Sequence, residues 1–191
     1  IEGYSLIALI ISDLEGDRAI SYYLTLPIPP SLVFIRMFVY NALFFTAVCL
    51  VIFPISNLVL PVSISYSTVH WPKFMATLLF TNFFHSALIL WAATYVADMR
   101  MLGKVWSRLL HPLWFFGGFQ FTWVAACKKS VWLGYLVLLN PIMYATEGMR
   151  SALIGGEDYL PFWVTSSVLV VATVLMMRQA IVRFKRRLDL V

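Results

Sequence analysis

Charge is what this sequence has least of. Asp, Glu, Lys and Arg together make up 12% of its 191 residues, about half the share found in an ordinary soluble chain. Its two cysteines, Cys49 and Cys127, lie inside or at the end of apolar runs with no His, Asp or second Cys at ligand spacing, so neither a disulfide framework nor a metal site follows. The histidines His70, His85 and His111 are too scattered to form a metal site, and no His-Glu-x-x-His pattern occurs. A phosphate-binding loop is also missing, because Gly103-Lys104 is followed by Val105 where a Ser or Thr would hold magnesium. There is no repeat of fixed period and no low-complexity tract. A secreted disulfide scaffold, a disordered chain and a nucleotide-hydrolysing domain are thereby excluded.

What is present is apolar side chain: 61% of the residues, with a mean hydropathy of +0.85. A soluble domain of this size would leave roughly a third of its unfolded surface in water, too much for so apolar a composition. The solvent is largely lipid, and the pattern predicts an all-α polytopic membrane protein in a single permease-sized domain, 1–191. Four segments are long enough to cross a bilayer: 32–53, 74–97, 105–127 and 162–182. Each reaches about 30 Å as a helix. Pro, Asn, Gly and charge collect between them, as at Pro27, Pro29 and Pro30, and at Pro54 and Pro61. Before Ser12 stands an apolar stretch of about seven residues, where a crossing needs about 20, and it reads as the stub of a truncated span.

The net charge of +5 has meaning only by position. Arg18, Arg36, Arg100, Lys104, Arg108, Arg178, Arg183, Lys185, Arg186 and Arg187 fall on one side of the alternating spans, against Lys73, Lys128, Lys129 and Arg150 on the other. The richer side is cytoplasmic. This puts the loop Asp98 to Arg108 and the basic tail 183–191 inside, and no nucleic-acid partner is implied. Arg36, one turn into its span, can snorkel to the interface.

The segment 130–154 does not fit a simple crossing. Val131 to Leu139 is too short to span, and the piece after Asn140-Pro141 carries Glu147 and Arg150, which cannot face lipid. The expectation is an external re-entrant hairpin: one short helix in, a turn at Asn140-Pro141, a second helix out. Its non-helical backbone must be covered by protein or line a cavity. Glu147 and Arg150, three apart, share a helix face and can pair. Gly155-Gly156 ends that helix, and Pro161 opens the last span.

This order of elements resembles the permease subunit of the type-2 ABC exporters. Leu139-Asn140-Pro141-Ile142-Met143-Tyr144 followed by Glu147-Gly148-Met149-Arg150 is similar to that family's signature after its fifth span. Arg108 with Pro112-Leu113-Trp114-Phe115 and Gly117-Gly118 resembles the opening of the fifth span, and Glu15-Gly16-Asp17-Arg18 with Tyr23 to Ile28 the cytoplasmic segment between spans two and three. The family's first span and most of its second have no counterpart here. The resemblance implies a homodimeric or heterodimeric pathway in a bacterial plasma membrane, with the C-terminus cytoplasmic. It implies a separate cytoplasmic ATPase subunit that holds ATP and magnesium, and export of an amphipathic substrate such as a lipid-linked glycan, a polysaccharide or a drug.

Within that frame the amphipathic segment 12–30 is the candidate coupling helix, with Asp13, Glu15, Asp17 and Arg18 toward the ATPase and Leu14, Ile20, Tyr22, Tyr23, Leu24 and Leu26 toward the membrane or a groove of the partner. An ordinary interfacial anchor is the plainer reading. Asn82, His85 and Gln120 are candidate path-lining residues, with interhelical hydrogen bonding as the commoner role for such groups. Asn140, Pro141, Tyr144, Glu147 and Arg150 build the hairpin, and the basic tail meets anionic headgroups. Two other classes compete. An ion-coupled secondary transporter would want a carboxylate at mid-bilayer, whereas Asp98 stands at a cytoplasmic end and Glu147 in the hairpin. A lipid-modifying membrane enzyme would need a convergent nucleophile or acid–base pair, and no such arrangement is visible.

Overall fold

In the computed structural model, residues 7–8, 12, 29–59, 68–96, 99–155 and 159–188 are described. All regular structure among them is helical. Helix α1 spans Pro30–Val59, α2 Trp71–Ala93 and α3 Met99–Val105. Helix α3 continues without a break through a π-helical turn at Trp106–Leu110 into α4, His111–Phe115. Then come α5 (Trp123–Lys129), α6 (Val131–Val137), α7 (Pro141–Leu153) and α8 (Phe162–Leu188).

Three of these helices, α1, α2 and α8, are long and apolar enough to cross a membrane. Proline marks their starts: Pro30 begins α1 and Pro72 lies in the first turn of α2, where the missing N–H would have had no partner. Pro54 does not end α1, although a stop there is the sequence expectation. The ring forfeits one bond to Leu50, yet the helix runs on to Val59, with the Ser56 hydroxyl donating to the Phe53 carbonyl at 2.8 Å. At its other end α8 continues to Leu188, so the basic residues Arg183, Lys185 and Arg186 belong to the helix rather than to a tail following residue 182.

Helix α2 is the centre of the bundle. Over its most apolar stretch 56% is buried inside the protein, against 17% for α1 and 28% for α8, which flank it. The core gathers Phe84, Leu88, Ile89, Leu90 and Ala93 of α2 with Phe34 of α1 and Leu169, Met177, Ala180 and Phe184 of α8. Phe34 and Phe184 stack at 4.6 Å. Near the same end Trp91 Nε1 donates to Gln179 Oε1 at 2.9 Å, and the Arg183 guanidinium lies 4.1 Å above the Tyr95 ring. This Tyr95 end carries the cations of α8. The opposite, Trp71 end holds a smaller cluster of Val69, Phe74, Leu78 and Ala152, where the His70 N–H donates to the Ala152 carbonyl at 3.0 Å. Outward faces of α1 and α8 are large and apolar, for example Leu43, Phe44, Val51, Val171, Val174 and Leu175, as lipid requires.

The expected crossing at 105–127 is not one helix. Helical structure already begins at Met99, inside what the sequence suggests is a loop, and stops at Phe115; residues 116–122 are irregular before α5 resumes. Two local causes are visible. Pro112 cannot donate to the Arg108 carbonyl, and the His111 N–H reaches back five residues to the Trp106 carbonyl, which widens the turn to π geometry. Gly118 has φ +81°, a left-handed conformation that breaks the helical path.

Segment 130–154 forms two short helices joined by a turn before Pro141, and the two halves pack on different neighbours. Helix α6 packs chiefly against α5, with Gly134 lying against Cys127 so closely that a side chain there would collide with the thiol. Helix α7 packs against α2 and α8 instead, and meets α6 through Val137 and Met143. Gly155, at φ +72°, closes α7 as expected.

Candidate functional site

The site grows out of one helix face. Asn140, at the cap of α7, uses its Oδ1 to accept from the Ile142 N–H at 3.1 Å, and Pro141 occupies the first helical position. Ile142, Met143, Ala145 and Ala152 are buried, and Tyr144 lies half-buried against the core. Interleaved with them, Asn140, Thr146, Glu147 and Arg150 recur at helical spacing, and all four reach the segment between Leu113 and Trp123.

Asn140 Nδ2 donates to the Leu113 carbonyl at 2.6 Å. The Thr146 hydroxyl donates to the Gly117 carbonyl at 2.8 Å. Arg150 forks: one terminal nitrogen donates to the Phe121 carbonyl at 3.1 Å and to Glu147 Oε1 at 3.0 Å, the other to the carbonyls of Gly118 and, at 3.4 Å, Phe119. Glu147 Oε1 also accepts from the Trp123 N–H at 3.1 Å. The Thr122 side chain then caps α5 by accepting from Ala125 N at 3.1 Å. A stretch of non-helical backbone among hydrocarbon-rich helices therefore has its polar groups met by side chains of α7. Each bond is worth about 1 kcal/mol net, or about 1.5–3 kcal/mol where a charge takes part, and leaving such groups unmet in lipid would cost several kcal/mol each.

Close approach of the two segments depends on glycine. A Cβ at Gly117 would lie 2.5 Å from Ile142 Cγ2, and one at Gly118 would strike Met143 and Thr146. On the far side of α7, a Cβ at Gly148 would come within 2.9 Å of Thr77 of α2 and 3.2 Å of Thr165 of α8. Glu147 is fully buried beside this contact; its second oxygen and the hydroxyls of Thr77 and Thr81 make no hydrogen bond among the described residues.

Other residues singled out in the sequence fall elsewhere. Asn82 is buried and donates to Thr46 Oγ1 of α1 at 3.1 Å, while Thr46 donates to the Ala42 carbonyl. His85 also turns toward α1, edge-on to Phe45 at 6.3 Å, and Ser86 donates to the Phe38 carbonyl at 2.8 Å. These bonds tie α1 to α2. Gln120 is exposed in the irregular segment rather than inside a crossing. Asp13, Glu15, Asp17 and Arg18 lie outside the described residues. Thr146 and the backbone role of Arg150 were not singled out in the sequence; Glu147 and Arg150 read as a pair, and only the fold shows that their pairing serves a third party. Spacing alone gave one signal for Thr146, its place one helical turn before Arg150.

The family described as ABC-2 type transporter matches residues 4–154, a stretch that includes α7 and the Gly117-Gly118 segment it holds. The chain belongs to that family. It is accordingly an integral membrane protein of a transport family, an ABC transporter permease. The match ends at Ile154, so it includes α1 to α7 and stops before α8. No curated protein and no solved structure matches the chain.

Proposed function

We propose that this permease forms half of the membrane path of an ATP-driven exporter, closed by a second permease copy and driven by a separate cytoplasmic ATPase that binds ATP and magnesium. The family match over residues 4–154 carries this reading. The cations of the Tyr95 end, Arg178, Arg183, Lys185 and Arg186, support a cytoplasmic C-terminus in a bacterial plasma membrane. The substrate is amphipathic: a lipid-linked glycan, a polysaccharide or a drug with an apolar face. In this reading α5, α6 and α7 form the external re-entrant element, with α3 to α4 as the crossing that precedes it, and the bonds from α7 to the segment between Leu113 and Trp123 keep the two moving as one body. Segment 12–30 docks on the ATPase, and closure of the ATPase pair pushes it as a rigid element.

Co-purification of the permease with an ATPase, and export from vesicles that stops on ATP depletion but persists with an uncoupler, tests the energy source. Reversing the coupling charges, Glu15→Lys with Asp17→Lys and Arg18→Glu, is expected to abolish export while permease abundance is unchanged. Undiminished export by that variant would refute the coupling role.

A further inference from the structure

Hydroxyl direction sets two threonines of α2 apart. Thr46, Thr165 and Thr173 each donate to a carbonyl three or four residues earlier, at 2.7–2.8 Å, a bond open to any helical threonine. Thr77 and Thr81 do not make it: their Oγ1 atoms are buried and meet no donor or acceptor among the described residues. Thr77 is 1% exposed and presents its methyl group to Gly148, so it lies on the face of α2 that α7 packs against. Thr81 follows one turn later on the same face.

Two further unpaired atoms belong to the α7 side of that contact. Glu147, next to Gly148 and fully buried, uses Oε1 for Arg150 and for the Trp123 N–H, while its Oε2 is unmet. The Trp123 indole packs against the cluster that holds Met143, one turn before Glu147, and its buried Nε1 is unmet as well. These four are all the buried side-chain polar atoms without a partner among the described residues. Orphans scattered over a fold would each need a separate cause; four gathered where α2, α7 and the start of α5 meet point to one shared partner, because each is otherwise desolvated with no bond in return.

The chemistry of the four selects that partner. Oε2 only accepts, the indole Nε1 only donates, and each hydroxyl does both. An anion is repelled by the carboxylate. A metal cation cannot accept from the indole, and the Arg150 guanidinium, 3.0 Å from the same carboxylate, opposes it. The contact has no room for a large molecule, since even a Cβ at Gly148 would come within 2.9 Å of Thr77. Water is small and neutral, donates twice and accepts twice, and is held in protein interiors by about three such bonds.

We propose that an internal water is bound at Glu147 Oε2, accepting from Trp123 Nε1 and bonded to the hydroxyls of Thr77 and Thr81. It completes the hydrogen bonding of the buried carboxylate and ties α2 to α7. The site is a property of the fold and does not depend on what the permease carries or what drives it.

The test uses the full chain purified in dodecylmaltoside. A crystal structure from a lipidic mesophase is expected to show one spherical density at about 2.7–3.2 Å from both Glu147 Oε2 and Trp123 Nε1; an empty site, or a density at metal–oxygen distance, overturns the proposal. Ultraviolet resonance Raman, with the Trp123 signal isolated as parent minus Trp123→Phe, is expected to place its indole N–H among hydrogen-bonded indoles, and a free N–H overturns it. Thr77→Val keeps the shape and removes the hydroxyl. If that hydroxyl holds the water, the equilibrium constant for folding falls by about threefold, the usual worth of a hydrogen bond inside a membrane protein. A Val variant as stable as the parent, or more so, overturns the proposal, because an unpaired hydroxyl is better replaced by a methyl group. Exchanging sodium chloride for choline chloride at equal ionic strength is expected to change nothing, and stabilisation by sodium would identify a cation site instead.

Discussion

Arg150→Ala is the most informative single change, because the side chain serves both the ion pair and the irregular backbone. The guanidinium holds Glu147 Oε1 at 3.0 Å and meets the carbonyls of Gly118, Phe119 and Phe121. Its removal leaves a fully buried carboxylate with one remaining donor, the Trp123 N–H. Breaking a buried pair from one side costs about 3–5 kcal/mol. Arg150 keeps 22% side-chain exposure, and chains unfolded within a membrane find other partners, so the lower figure, about 3 kcal/mol, is expected. Arg150→Lys restores the charge but not the fork, and is expected to recover about half of the loss. Glu147→Gln removes the stranded charge while keeping an acceptor for Trp123, so the double variant Glu147→Gln with Arg150→Ala is expected to be far less destabilised than the sum of the singles. The assay is unfolding by SDS titration in mixed micelles, followed by tryptophan fluorescence as a double-mutant cycle. Additivity within about 0.5 kcal/mol, or an Arg150→Ala variant as stable as the parent, would refute a coupled pair that staples the backbone.

Two further outcomes follow from the same contacts. Gly118→Ala forces a side chain onto a left-handed φ and into Met143 and Thr146; a loss of about 1–3 kcal/mol is expected, with faster proteolysis between Gly117 and Thr122, and Met143→Ala added to it relieves only part of that loss. Asn82→Ala removes the bond to Thr46 and is expected to cost about 0.6 kcal/mol, at most about 1.7; a cycle with Thr46→Val in the same assay shows the two losses to be non-additive if the bond is real.

Long apolar runs were the readable part of this molecule. The segments beginning near Leu32, Phe74 and Phe162 become α1, α2 and α8, because a crossing helix is dictated by length and hydropathy whatever its neighbours. Boundaries were less readable. Pro54 looks like a stop, yet α1 runs past it to Val59, with the Ser56 hydroxyl on the Phe53 carbonyl. The run at 105–127 is apolar enough to suggest a fourth crossing, and hydropathy cannot register the break at Gly117-Gly118, where a left-handed glycine turns the chain and α7 supplies bonds from another part of the sequence. Glu147 and Arg150 were legible as a pair from their i, i+3 spacing. Their bonds to Phe121, Gly118 and Trp123 span more than twenty residues and have no local signature.

By itself, then, the sequence determined the solvent. So little charge and so much apolar side chain can be satisfied only in lipid, and the placement of the few cations biases which end faces the cytoplasm. Tertiary structure decided what the remaining polar groups do. It puts Asn82 onto Thr46, lays Arg183 over Tyr95, and gives α7's polar face an irregular backbone to hold. Hydropathy sums over neighbours in sequence, whereas a polar group in a membrane is stabilised by whichever donor or acceptor the fold brings within about 3 Å.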